Sequence, residues 1–234
     1  MNKKQILTQI EKFKKRNERF LPEPICEEIL SSYNIPCPSA YLAKNVNEAV
    51  EFSKKIGFPV VLKIVSPQII HKSDAGGVII NIDGEKKLRE AFDKILENIK
   101  RYNFQASIEG IYVQKMVPPG REVIVGAIKD KQFGQVVMFG LGGIFVEVFK
   151  DVVFRVAPLD RKESREMIEE IKGLPILQGA RGEKPINFDS LSEVIVNTSR
   201  LVVDFPQIEQ LDINPVYVYP DGVCAVDARI ILGE

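Results

Sequence analysis

Apolar Ile6, Leu7, Ile10 and Phe13 recur at helical spacing among lysines and glutamates, which predicts an amphipathic arm over residues 3–19. Leu21-Pro22-Glu23-Pro24 breaks that arm. From residue 25 to residue 100 the pattern alternates between helix and strand. A short helix is predicted over 25–33, ended by Asn34-Ile35-Pro36-Cys37-Pro38. Asn47 is placed to cap a helix that runs to Ile56 and closes at Gly57. FPVVLKIV at 58–65 is rich in β-branched residues and predicts a strand, with a second strand, GVIINI, at 77–82. Leu88, Phe92, Ile95 and Ile99 mark one face of a helix over 85–101.

From Gly110 the pattern changes. IYVQKMV, REVIVGAI, FGQVVMF, IFVEVF and VVFRVA follow one another as short strands, joined by PPG, KDK, a GLGG loop and Lys150-Asp151. That is the pattern of an antiparallel meander. A helix over 161–171, an irregular stretch to Asn187 and a helix over 191–203 come next. The hairpin LDINPVYVY-PDG-VCAVDA closes the chain. The expected division is an N-terminal amphipathic helix in 1–19 and two α+β lobes, 20–112 and 113–234, without internal repeats. A cleft between two such lobes is a usual place for a ligand.

Composition narrows the classes. The 234 residues are 45% hydrophobic, and Lys+Arg equals Asp+Glu at 32 each, so the net charge is zero. That argues against a nucleic-acid binder working through an overall basic field and leaves room only for a local patch. No apolar run reaches the ~20 residues of a membrane span, and the basic N-terminus carries no apolar signal core. The expectation is a cytoplasmic chain with no membrane partner. Cys26, Cys37 and Cys224 are odd in number and irregular in spacing, which fits neither a disulfide framework nor a zinc site. With one histidine in the chain, any histidine chemistry passes through His71.

Several residues could carry chemistry. Lys63 interrupts an apolar strand and shares a face with Val61 and Val65. A buried ammonium is costly unless an anion meets it, so Lys63 reads as a phosphate contact or as an edge lysine reaching solvent. In the following loop, Gly76-Gly77 lets backbone N–H groups approach an anion, and Lys72 adds charge. His71 in that loop is a candidate nucleophile or an incidental loop residue. If Pro220 and Asp221 are central in the last turn, Asp227 falls opposite Asn214, on a strand that also carries Asp212. Such hard oxygen donors suit Mg²⁺, although exposed acids at a strand end give the same pattern. Gln114 and Glu122 offer the donors and acceptors that a base and a ribose need, or lie at the surface. Arg155 alternates into an apolar strand, facing either an anion or solvent.

The ordered motifs VVLKI, HKSDAGGV, VQKMV-x4-E, GLGG-x3-E, D-x3-R-x2-PL, LQGARG, LDINP and AVDAR resemble the ATP-grasp nucleotide-binding subunit of ADP-forming acyl-CoA synthetases. The β subunit of the acetyl-CoA type is nearest, and succinyl-CoA synthetase is a more distant relative. The resemblance spans about residues 20–232. It implies an α+β ATP-grasp fold and the reversible reaction of acyl-CoA, ADP and phosphate to acid, ATP and CoA. It implies a CoA-binding α subunit as partner, for which an α2β2 heterotetramer fits.

Carried over by position, the resemblance implies that Lys63 contacts nucleotide phosphates and that Gly76 and Gly77 belong to the phosphate loop, to which Lys72 adds its charge. Gln114 and the backbone near Val117 meet adenine, and Glu122 meets the ribose. The resemblance implies that Asn214 and Asp227 ligate Mg²⁺; beside it, Asp212 and Glu209 read either as groups that orient an imidazole or complete the metal shell, or as solvated acids. His71 is implied to relay a phosphoryl group from the partner to ADP, unlike the corresponding loop of succinyl-CoA synthetase. Two other readings stay open: an ATP-grasp ligase acting through an acyl phosphate, and a nucleotide-sensing module without turnover.

Overall fold

The computed structural model describes residues 1–143 and 150–233. It has two helices at the N-terminal end, α1 (Lys3–Lys15) and α2 (Glu23–Ser32). Asn2 caps α1: its Oδ1 accepts from the Gln5 N–H at 2.9 Å, while Gln5 Oε1 accepts from the Asn2 N–H at 2.8 Å. This reciprocal pair satisfies two donors that the helix start leaves open. Ile6, Ile10 and Phe13 form the buried stripe of α1.

These helices do not stand apart as an arm. The chain divides into Met1–Cys37 together with Pro119–Glu234, and Pro38–Pro118. Ile6, Ile10, Leu21, Ile29 and Leu30 share one core with strands more than a hundred residues away. The Leu21 N–H donates to the Ile230 carbonyl at 3.1 Å, and the Ala225 N–H to the Pro36 carbonyl at 2.7 Å. The expected assignment of residues 20–37 to the first lobe is therefore corrected. Local periodicity found the helices but carries no trace of such distant pairing.

Within Pro38–Pro118 come β1 (Ala40–Ala43), α3 (Val46–Ile56), β2 (Val60–Val65), β3 (Val78–Ile82), α4 (Glu85–Tyr102) and β4 (Gly110–Lys115). The sheet order is β1-β4-β2-β3 with antiparallel pairs. Val60, Leu62 and Ile64 of β2 and Ile111 and Val113 of β4 pack in a core with Leu88, Phe92 and Ile95 of α4. Asn45, not Asn47, caps α3, accepting from the Asn47 and Glu48 N–H groups at 3.1 and 3.0 Å. β1 was not expected. β4 is also corrected: it does not open the meander but lies between β1 and β2, with Ile111, Tyr112, Val113 and Gln114 all buried.

The remaining elements are β5 (Arg121–Asp130), β6 (Gly134–Leu141), β7 (Val152–Val156), α5 (Arg161–Glu170), α6 (Leu174–Leu177), α7 (Phe188–Asp204), β8 (Ile208–Tyr219), β9 (Gly222–Ala225) and β10 (Ala228–Leu232). The sheet runs β10-β8-β5-β6-β7, with β9 also paired to β8. The expected strand IFVEVF, at 144–149, lies outside the described residues. Asn187 caps α7 through its Oδ1 and the Ser190 N–H at 2.9 Å, so the helix starts three residues before the expected position. The expected hairpin is present, and the chain goes on from it into β10. Both units are α+β, as the pattern predicts.

Candidate functional site

Strand alternation sorts β2 into two faces. Val60, Leu62 and Ile64 enter the core under the helices; Val61, Lys63 and Val65 point the other way. Lys63 is 6% exposed, directly opposite Tyr112 of β4 and Val78 of β3. Gln114, 1% exposed, stands opposite Val61 on that same face. Lys63 is thus no edge lysine, because β2 is flanked by strands on both sides. A cation, an amide and the Tyr112 ring share one face away from solvent. Val117, half-buried, follows β4 beyond the ladder. The Lys115 ammonium is committed to the carbonyls of Gly57 and Phe58, at 2.8 and 3.1 Å.

The loop from β2 to β3 carries His71 exposed and Lys72 half-buried. Gly76 has φ +63°, and a Cβ on Gly77 would stand 2.4 Å from Ile64 Cγ2. Both positions therefore require glycine. Their N–H groups are directed into the loop: Gly76 donates to the Ser73 carbonyl at 3.0 Å and Gly77 to the Lys72 carbonyl at 2.7 Å. The expectation that these two amides face an anion is corrected for this arrangement; the glycines close a turn that presents His71.

In the unit of Met1–Cys37 and Pro119–Glu234, Tyr219 pairs with Gly222, which leaves Pro220 and Asp221 as the turn. The register then sets Asp227 opposite Asn214: the Asn214 N–H donates to the Asp227 carbonyl at 3.1 Å. Asp212 is half-buried on β8, 3.7 Å from Arg229 of β10. Burial lifts the Asp212 carboxyl above its ordinary range; Arg229 draws it down, and the charge of Asp227 pushes it up again. Two mutually repelling carboxylates, with Asn214 two residues from Asp212 on β8, are hard oxygen donors of the kind that fits Mg²⁺. Among the described residues no group of three His, Cys, Asp or Glu side chains could hold a metal. A Mg²⁺ ion there would need Asn214 and non-protein oxygens to complete its shell.

Glu122, exposed on β5, lies opposite Tyr217 of β8. Burial raises the Tyr217 hydroxyl, and the charge of Glu122 and its hydrogen bond to Tyr217 raise it further. The GLGG loop turns onto this residue, with the Gly142 N–H donating to the Glu122 carbonyl at 2.8 Å. Glu147 of the same motif lies outside the described residues.

Two candidates are corrected. Arg155 pairs with Glu170 of α5 and donates to the Phe154 carbonyl, so its charge is used within its own unit. Glu209 accepts from Arg19 at 2.5 Å and ties β8 to the segment between α1 and α2. Sequence reasoning missed Tyr112, Tyr217 and Arg229, whose places follow from strand register, and Asn98, whose Nδ2 donates to the Gly76 carbonyl at 2.9 Å. The β4–β2 register was the signal that could have found Tyr112.

A model of the ATP-grasp domain family matches residues 12–232. The chain is 56% identical over 223 residues to the beta subunit of acetate–CoA ligase (ADP-forming) I from Pyrococcus furiosus, covering 95% of this chain and 96% of that one. Two solved structures of the dinucleotide-forming acetyl-coenzyme A synthetase 1 of Ca. Korarchaeum cryptofilum are also similar. One holds coenzyme A, acetyl-coenzyme A and a phosphorylated phosphohistidine segment in its site I orientation; it has TM-score 0.91 and 45% identity, covering 99% of this chain and 100% of that chain. The other holds coenzyme A and Mg-AMPPCP with the phosphohistidine segment pointing towards the nucleotide binding site; it has TM-score 0.87 and 44% identity, with the same coverage. With a family model over most of its length and a relative matched nearly end to end, the chain belongs to the ATP-grasp family and, within it, to the beta subunits of the ADP-forming acetate–CoA ligases.

Proposed function

We propose that this chain is the nucleotide-binding subunit of an ADP-forming acyl-CoA synthetase of the acetyl-CoA type. It converts acyl-CoA, ADP and phosphate to acid, ATP and CoA together with a CoA-binding subunit. The observation that carries this reading is the placement of the chain's one histidine, exposed on the loop that leaves the strand burying Lys63. The phosphohistidine segments of the Ca. Korarchaeum cryptofilum enzyme support it.

In the proposed sequence, a nitrogen of His71 attacks a phosphoryl group carried on a histidine of the partner. A new P–N bond forms as the old one breaks. A terminal oxygen of ADP then attacks that phosphorus, and the His71 nitrogen leaves. Lys63 offsets the negative charge that gathers as the two phosphates approach. Gln114 and the backbone at Val117 hold the base, Glu122 the ribose, and Lys72 with the Gly76-Gly77 turn sets the loop. Mg²⁺ held by Asn214 and Asp227 would supply further positive charge at the phosphate oxygens.

The assembly proposed is α2β2, in keeping with the subunit naming of the relative. No helix among the described residues is long and apolar enough to cross a membrane. A cytoplasmic setting is proposed, since thiols stay reduced there.

The test is reconstitution with the CoA-binding subunit. His71→Ala should abolish ATP formation from acyl-CoA while ADP binding, read by calorimetry, stays within about twofold of the unaltered protein. Full turnover in that variant would overturn the relay.

A further inference from the structure

His71 stands exposed between two buried anchors, Ile69 at 3% and Ala75 at 4% exposure, both in the core with α4. From His71 onward the loop is closed by its own backbone. The Ala75 N–H donates to the His71 carbonyl at 3.2 Å, Gly76 to Ser73 at 3.0 Å and Gly77 to Lys72 at 2.7 Å. Its exit is fixed to β2, where the Ile64 N–H donates to the Gly77 carbonyl at 2.8 Å.

A polar side chain of α4 also reaches this turn. Asn98 Nδ2 donates to the Gly76 carbonyl at 2.9 Å, at the residue with φ +63°. The fit is close: a Cβ on Gly76 would lie 2.7 Å from Asn98 Nδ2 and 3.1 Å from its Cγ. Glycine here serves two ends, the left-handed backbone and the approach of this amide. Asparagine is a mediocre residue within a helix, since its side chain competes for backbone groups. At position 98 that tendency is turned on a carbonyl outside the helix.

We infer that Asn98 is a positioning residue: a latch that holds the 71–77 turn in the arrangement seen here and so sets how readily His71 leaves it. This rests on the relay reading, in which His71 must serve two phosphoryl partners in turn. A single neutral hydrogen bond shifts such a balance by roughly fivefold. That is enough to bias the turn and too little to lock it.

The test uses the full chain and its reconstituted complex, with Asn98→Asp and Asn98→Ala. Aspartate keeps the volume and loses the donor; alanine is the better helix former and guards against a folding defect. Amide hydrogen exchange in 71–77 should rise about fivefold in both, with β2 and the rest of α4 unchanged. In the complex, kcat should change by a similar factor while the KM for ADP stays constant. Unchanged exchange in 71–77 would overturn the latch whatever the role of His71. Raised exchange with unchanged kcat would overturn its part in turnover. Failure of the relay shows separately, as normal turnover in His71→Ala.

Discussion

Lys63 lies buried in the sheet of the Pro38–Pro118 unit. Its ammonium is nearly sealed from water in a sheet of valines and isoleucines, where a charge acts far more strongly than at a surface. The proposed reading gives it nucleotide phosphates, and gives Asp227 the metal that accompanies them. Lys63→Ala or Asp227→Ala should each weaken Mg-nucleotide binding roughly 10- to 100-fold, the worth of a charge-assisted hydrogen bond. Calorimetry at fixed Mg²⁺ checks this, and unchanged affinity in both variants would count against the assignment. Lys63 was legible in the sequence because a charge inside a β-branched run stands out. Asn214 and Asp227 were legible because a tight turn fixes the pairing upstream and downstream of it. Arg155 and Glu209 were not. Their partners, Glu170 and Arg19, lie 15 and 190 residues away, and nothing local announces them.

At the scale of elements, helices were found from their apolar stripes, but their caps were less secure. Two asparagines precede the body of α3, and only the structure shows which one accepts the open N–H groups. Asn45→Ala should cost about 1 kcal/mol of stability, and Asn47→Ala a few tenths, in urea denaturation. Equal costs would contradict the capping geometry. Strands were found where side chains alternate or run apolar. Their partners were harder. β4 joins the sheet of β1 and β2 although only the five residues 116–120 separate it from β5, and both of its faces are buried there. β1, only four residues long, gives too short a pattern to detect.

For the whole molecule, the sequence predicted two α+β units but misplaced the N-terminal residues. α1 and α2 pack in one core with β8 and β10, so the chain's first 37 residues belong to the unit that carries Asn214 and Asp227. Ile10→Ala should destabilise this unit by about 2–5 kcal/mol, and Leu62→Ala should do the same to Pro38–Pro118. Hydrogen exchange should locate the first loss in β8 and β10 and the second in β2 and β4. Loss of protection spread equally over both cores in either variant would contradict the assignment of Ile10 and Leu62 to separate cores.

The central claim is that His71 carries a phosphoryl group, and direct labelling tests it most directly. The chain is incubated with Mg²⁺ and γ-labelled ATP, with and without its CoA-binding subunit. The account predicts acid-labile, base-stable label that vanishes in His71→Ala. No label under either condition, while ATP still binds, would contradict it and favour an acyl-phosphate ligase or a nucleotide sensor.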